Sequence, residues 1–593
     1  DIIAAPDWPS GATELAGAIT YREPTILLPE SPSPGARRGM MSIHAHELAH
    51  MWFGNLVTPP WWNDLWLKEA FATWGTYQVM TQLEPDEGWD VALVERGLLA
   101  MRLDSLAAAR AINESVARNA DIRNAYDAIT YSKGAAVIGM VDSYFGPEKF
   151  RPALGRYVAE FADGVADSDD FFRVIGEVSG EPRLTEVFKS FVGQNGVPLV
   201  SATLACDEGG RGVILSQSRY APLGSSVDPK SRNWAAPVRM RYGLPDGSVG
   251  EAAVILEGDT FVDFGNVDCP VWVMPNAGGA GYFRWSLDDA SWSALADVFP
   301  ELPQTEALSV IDSARAAFEA GESDATALLA LLEKGVQSPH RRVVEQALDG
   351  YRGAKRLLTS DDQTAFAAYA RAITRPRTVT AEGELQSRLI AFLSGTSEDR
   401  SIRQQLAGQA AAFLESGGRD EVLASDLYLA ALTAFVREGG ESAVTRLMAA
   451  RDEIDEARFA ASSAAALAAV EEPELVALVR DYALSEAVGP REASTILSRL
   501  MRVEANQAET WVWIQDNFDR ILAKVPRQWG RRTPNYAASF CTLEQADDAK
   551  VFFESVAEKV PGYERALNQS LESIRLCAAF KSAKAGELAA AIR

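Results

Sequence analysis

Three of the four histidines in this 593-residue chain fall in one run, His44-Ala45-His46-Glu47-Leu48-Ala49-His50. On a helix His46 and His50 lie about 40° apart around the axis, so both imidazoles can reach one metal ion. Glu47, roughly 100° from His46, falls beside such an ion, where a base would stand. His44 is about 200° away from His46 and is read as structural. A catalytic zinc takes three protein ligands and leaves its fourth position to water. The third ligand on offer is Glu69, separated from His50 by 18 residues, in Trp66-Leu67-Lys68-Glu69-Ala70-Phe71. Gly54-Asn55 and the Pro59-Pro60 turn stop the first helix. A second apolar helix begins near Asn63-Asp64 and is expected to pack antiparallel to it. Burying two imidazoles and two carboxylates this way with no cation would cost several kcal/mol of desolvation.

This spacing, H-E-x-x-H followed by eighteen residues and Glu, resembles the zinc aminopeptidases of the aminopeptidase N type, among the gluzincins. Further matches follow in the family's order. Gly11-Ala12-Thr13-Glu14-Leu15 is similar to the G-x-M-E-N exopeptidase motif, with Thr13 and Leu15 departing from it. Gly54-Asn55-Leu56-Val57-Thr58 and Trp61-Trp62-Asn63-Asp64-Leu65-Trp66-Leu67 stand close to the family's wording, and Ile129-Thr130-Tyr131-Ser132-Lys133-Gly134 resembles the segment with its catalytic tyrosine.

The resemblance implies one Zn2+ on His46, His50 and Glu69, with an acidified water in the open position. Glu47 would be the general base that takes the water's proton and returns it to the leaving amine, and Tyr131 a phenol donor to the developing oxyanion. Glu14, with Gly11 and Ala12 of the same motif, would bind the free amino terminus of a peptide substrate. The implied function is removal of amino-terminal residues from peptides. The alternatives are a leukotriene-hydrolase-like enzyme that also opens epoxides, or an inactive, truncated zinc-binding scaffold. The family also places a long amino-terminal β-domain before the exopeptidase motif, where this chain has ten residues. That implies a fragment or processed product, one that would contact the missing domain and draw a further amine-binding residue from it.

These side chains need elements to hold them. Asp1–Ala5 and Ala18–Tyr21 read as short strands around the Pro9-Ser10-Gly11 turn, placing Glu14 on or beside a sheet edge that an extended peptide could join. Residues 31–35, with two prolines and a glycine, read as a loop before the metal helix. From Trp66 to about Gln194 the pattern is helical, with a stripe of Val137, Met140, Val141 and Tyr144 ending at Gly146-Pro147. Tyr131 heads a helix, and Lys133 reads as a surface or helix-end charge.

From residue 196 short alternating strands predict a β-sandwich whose aromatics are core. From residue 287 the chain is Ala- and Leu-rich helix, with stripes Leu308, Ile311, Ala314, Phe318 and Leu328, Leu331, Leu332, the second closed by Gly335. His340 reads as a surface or capping residue. The expected fold is α+β, mostly α. It comprises a thermolysin-like zinc catalytic domain over 1–195, truncated at its amino end, a small β-sandwich over 196–286 and an α-helical superhelix over 287–593. The superhelix rests partly on the resemblance.

A net charge of −25, from 82 acidic against 57 basic residues, argues against binding to a phosphate backbone, so nucleic acid is not an expected partner. No run approaches the ~18 apolar residues of a membrane span. The four cysteines form no C-x-x-C motif. Their distribution permits Cys206 with Cys269 and Cys541 with Cys577, buried free thiols being the alternative. The disulfide reading tilts localisation towards an exported, periplasmic or extracellular protein.

Overall fold

Three short strands open the chain: β1 (Ile2–Ala5), β2 (Ala12–Thr13) and β3 (Ile19–Arg22), in the order β1-β3-β2. The computed structural model describes residues 1–6, 8–30, 32–207, 210–419 and 421–593. Strand β3 is central because Ile19, Thr20 and Tyr21 are all buried. It pairs with β1 in parallel and with β2 in antiparallel register, Ala12 opposite Tyr21. Glu14 follows directly on the outer strand β2.

Helix α1 (Pro34–Ala49) carries the histidines. The expected loop before it is shorter than residues 31–35. Ser31 lies outside the described residues, and Pro34 and Gly35 already belong to the helix. The Ser33 hydroxyl caps it by accepting the Ala36 N–H at 3.2 Å, and Pro34 at the first position has no N–H to leave unpaired. Proline and serine that read as loop residues are here the start signal of a helix.

Helix α2 (Trp66–Leu83) carries Glu69 and is apolar nearly all round, as a helix at the centre of a core must be. Trp66 and Phe71 enter an aromatic cluster with Phe171, whose ring meets Trp66 edge-on at 5.6 Å. Helices α3 (Trp89–Asp104) and α4 (Gly134–Phe145) complete the layer, and α4 ends at Gly146, whose φ is 89°, just before Pro147. Gly134 marks the closest approach of α4 to α2: an added Cβ there would stand 2.5 Å from the Ala70 Cβ. That close approach brings the turn preceding α4 over Glu69.

Beyond Val192 come two small sheets. One has the order Thr260–Asp263, Gly210–Arg219, Pro198–Asp207, Arg284–Leu287, and the other Trp272–Met274, Ala236–Gly243, Val249–Leu256. Cys206 is disulfide-bonded to Cys269. Trp234, Tyr282 and Trp285 are buried. In the helices that follow, Leu308, Ile311, Ala314 and Phe318 face inward, as do Leu328, Leu331 and Leu332. Gly335 does not close its helix, which runs from Ala325 to Val336. An interior glycine costs only about 1 kcal/mol, and Pro339 supplies the stop.

The chain divides into two compact units, Asp1–Gly335 and Val336–Arg593. The second is helical from Arg341–Lys355 to Glu564–Ala591, and a continuous apolar core runs through it from Leu406 to Ile574. His340 stands at the N-cap of Arg341–Lys355 without a side-chain cap bond. Cys541 is disulfide-bonded to Cys577 in the last helix. The chain is mostly helical with small sheets. Among the described residues no helix is long and apolar enough to cross a membrane.

Candidate metal and active site

Helices α1 and α2 bring His46, His50 and Glu69 together. His46 Nε2 and His50 Nε2 are 3.1 Å apart, and each is 3.3 Å from Glu69 Oε2. A tetrahedral ion with bonds of 2.0–2.2 Å would require edges of about 3.3–3.6 Å, so the three atoms already stand at nearly the spacing of a metal's ligands.

Their remaining atoms are held from behind. His50 Nδ1 bonds the Phe53 carbonyl at 2.9 Å, His46 Nδ1 lies 3.5 Å from the Thr73 hydroxyl, and that hydroxyl donates to the Glu69 carbonyl at 2.7 Å. Such backing fixes the tautomer and turns both Nε2 lone pairs to the centre.

Burial would raise Glu69, but hydrogen bonds from both rings and the charge of Lys68 outweigh it and hold the carboxyl well below its usual range. Burial lowers His46, whereas at His50 the Glu69 and Glu14 carboxylates outweigh burial and raise it. The trio therefore calls for positive charge, which a divalent cation supplies with both rings neutral. The donor set of two imidazoles and one carboxylate fits a catalytic metal site.

Glu47 lies on the adjacent face of α1, buried, and its Oε2 has no hydrogen-bond partner among the described residues. Burial is the main cause that pushes its pKa up to about 7, with the Glu14 and Glu69 charges adding to it. Carboxylate atoms of Glu14 and Glu47 and a ring nitrogen of His50 lie within 4.8 Å of one another. His44 belongs to neither cluster; its Nδ1 bonds the Tyr21 hydroxyl at 2.8 Å.

Tyr131 sits in a five-residue π-helical turn, Ile129–Lys133, directly before α4. Turns of this kind recur at functional sites because they displace one side chain from the α-helical register. Its ring centroid is 6.0 Å from that of His46, and Glu69 is the carboxylate whose charge acts most strongly on its phenol. Burial and the Glu69 charge hold the phenol well above its ordinary pKa, so it stays a proton donor. The turn is anchored at Asp127, whose Oδ1 accepts the N–H groups of Ile129 at 2.9 Å and Thr130 at 3.2 Å. Arg110 clamps the same carboxylate with two bonds, at 2.7 and 3.1 Å.

Glu14 reaches the cluster from the strand side. Asn55 Nδ2 donates to its carbonyl at 2.9 Å, tying its loop to the exit of the metal helix. Gly11 anchors the same loop, its carbonyl accepting the Arg22 N–H at 2.9 Å, while Ala12 lies in β2. The Glu14 carboxylate bonds Lys68 Nζ. Burial would raise Glu14, but His50 and Lys68 outweigh it and keep it ionised.

Lys133 is not the surface charge its sequence position suggests: it is fully buried, 2.9 Å from Asp104 Oδ2, and donates to the Gln194 carbonyl at 2.9 Å. Asp104 also accepts the Gly196 N–H and the Tyr282 hydroxyl. Helix α4 buries both flanks of this turn, so a charge at its start faces inward and meets a carboxylate from α3. Asn55, Thr73, Arg110, Asp127 and Lys133 all support the site and Lys68 stands between two of its carboxylates, and sequence reasoning assigned none of them that place. Asn55 and Lys133 stood inside the recognised motifs, which was the one available signal.

The family model for the peptidase family M1 domain matches residues 1–191, and that for the ERAP1-like C-terminal domain matches residues 272–576. Aminopeptidase M1-B of Oryza sativa subsp. japonica is 27% identical over 614 residues, covering 98% of this chain and 68% of its own length. Aminopeptidase M1 of Arabidopsis thaliana is also 27% identical, over 97% of this chain and 68% of its own. Aminopeptidase A of Gloydius brevicauda is 31% identical over 335 residues, 54% of this chain and 34% of that protein.

Proposed function

The chain belongs to peptidase family M1, and from that premise we propose a zinc-dependent aminopeptidase that removes residues from the free amino termini of peptides. One observation supports the assignment of roles above all others. Glu47, beside the His46, His50 and Glu69 trio, keeps a buried carboxylate oxygen with no partner among the described residues. An unpaired buried acceptor is costly, and a water to be activated would satisfy it.

His46, His50 and Glu69 would hold the zinc, the usual ion for two imidazoles and a carboxylate at this spacing. Zinc bound there supplies Lewis-acid polarisation of the scissile carbonyl and acidifies water. Glu47 accepts the proton of the attacking water and passes it to the departing nitrogen, so the carbon gains oxygen as the peptide C–N bond breaks. Tyr131 donates its phenol hydrogen to the carbonyl oxygen as negative charge grows there. Glu14 binds the α-ammonium group and limits cleavage to the first bond.

Zinc-loaded protein is tested on matched peptides with free and acetylated amino termini, with metal content measured alongside. Free termini are expected to be cleaved stepwise and acetylated ones at least about tenfold more slowly, given the strength of a charge-assisted contact. Equal rates, or cuts mainly at internal bonds, would overturn the reading.

A further inference from the structure

We propose that Lys68 is a specificity-determining residue that competes with the substrate's own ammonium group for Glu14, so that the preference for a free amino terminus is set by the Glu14–Lys68 pair. The inference rests on the aminopeptidase reading above and goes beyond it, since Lys68 is not among the residues proposed as metal ligands, base or oxyanion donor.

The geometry is specific. Lys68 Nζ bonds Glu14 Oε1 and lies 3.2 Å from Glu69 Oε1. Glu69 thus divides its two oxygens, Oε2 to the imidazoles and Oε1 to the lysine. A substrate ammonium bound to Glu14 on the Glu69 side of the site enters the same gap between these two carboxylates. A lysine ammonium and an α-ammonium are alike: compact cations with three donors and no acceptor. Lys68 therefore stands where the substrate's first group would stand.

The surroundings explain why it stays there. Gly54 has φ of 126°, and a Cβ at that position would meet Lys68 Cβ and Cδ at 3.3 Å each, so the bare glycine backbone seats the lysine stem. The Lys68 side chain is only 17% exposed, and the Glu14, Glu47 and Glu69 carboxylates gathered nearby favour a cation among them.

A second ammonium at one carboxylate meets like charge. Substrate must either displace Nζ or share Glu14 with it, and both lower the advantage of a charged amino terminus over a neutral one. Removing the lysine charge frees the carboxylate and is expected to tighten amine binding by about tenfold, the worth of one charge-assisted contact.

The test uses the full chain loaded with zinc, as wild type, Lys68→Met and Lys68→Gln. Calorimetry measures binding of leucinamide and of its deamino analogue, 4-methylpentanamide, and KM is measured on a leucyl substrate. The expected result is tighter leucinamide binding and lower KM in both variants, with the deamino amide and the zinc content unchanged. Unchanged or weaker leucinamide binding would sink the inference. So would loss of zinc from both variants, because Lys68 would then be a support for Glu69. Wild type that cleaves no peptide, together with variants that still bind leucinamide more tightly, would overturn the aminopeptidase reading and leave the Lys68 inference standing.

Discussion

At the scale of single residues, the proposed roles separate groups that would hold a metal from groups that would move protons. His46, His50 and Glu69 face one another, whereas Glu47 and Tyr131 border them. Glu47→Gln removes a base but no ligand, and Tyr131→Phe removes one hydroxyl from a ring that stays packed. Each variant is expected to keep its zinc and to lose turnover by on the order of 10²–10⁴, read as kcat beside metal analysis. A zinc-loaded Glu47→Gln protein turning over at the normal rate would end the general-base assignment.

The placing of His46, Glu47 and His50 was legible in the sequence because its information is local, whereas Tyr131 was singled out only through the family resemblance. A four-residue spacing within one helix fixes which side chains share a face, whatever that helix packs against. Lys68 was not legible: its neighbour Glu69 is local, but its other partner, Glu14, arrives on a strand loop from the start of the chain.

At the scale of elements, the π-helical turn before α4 sets where the Tyr131 hydroxyl points, and it is held from both sides. Asp127 and Arg110 fix its start, and Lys133 fixes its end by pairing with Asp104 of α3. Burial pushes the Lys133 pKa down and the Asp104 pKa up, so each charge depends on the other. Lys133→Met would leave a buried carboxylate unpaired and is expected to cost about 3–5 kcal/mol, measured as a shift in urea unfolding. Adding Asp104→Leu should recover part of that loss but not all, because the Gly196 N–H and Tyr282 hydroxyl would lose their acceptor. A Lys133→Met protein within about 1 kcal/mol of wild type would show the pair to be dispensable.

Helix identity was readable from apolar stripes, as in α4. Helix ends were less so. Pro34 and Gly335 both carry residue types that signal a break, yet lie inside helices. Pro34 and the Ser33 cap together set the start of the first, and a following proline, rather than the glycine's own propensity, sets the end of the second. The order of strands in the two small sheets was illegible for a different reason: pairing is non-local, and Arg284–Leu287 joins Pro198–Asp207 across the whole intervening segment.

At the scale of the whole molecule, the two disulfides bear on stability and stand outside the metal-ligand clusters of the described residues. Cys206–Cys269 closes a separation of 63 residues within the first unit, and Cys541–Cys577 closes 36 within the second. Each restricts the unfolded chain and is expected to stabilise its own unit by about 2–4 kcal/mol. None of the four cysteines belongs to a metal-ligand cluster among the described residues. Reduction under native conditions should therefore lower the thermal midpoint but leave bound zinc in place. Cross-links of this kind persist in oxidising compartments and are rare where thiols are kept reduced. Protein isolated from its native compartment under alkylating, non-reducing conditions is accordingly expected to give both linked peptides, 206 with 269 and 541 with 577. Recovery of four alkylated thiols would remove the ground for an exported enzyme, and release of zinc on mild reduction would mean that the cross-links also hold the metal site in shape.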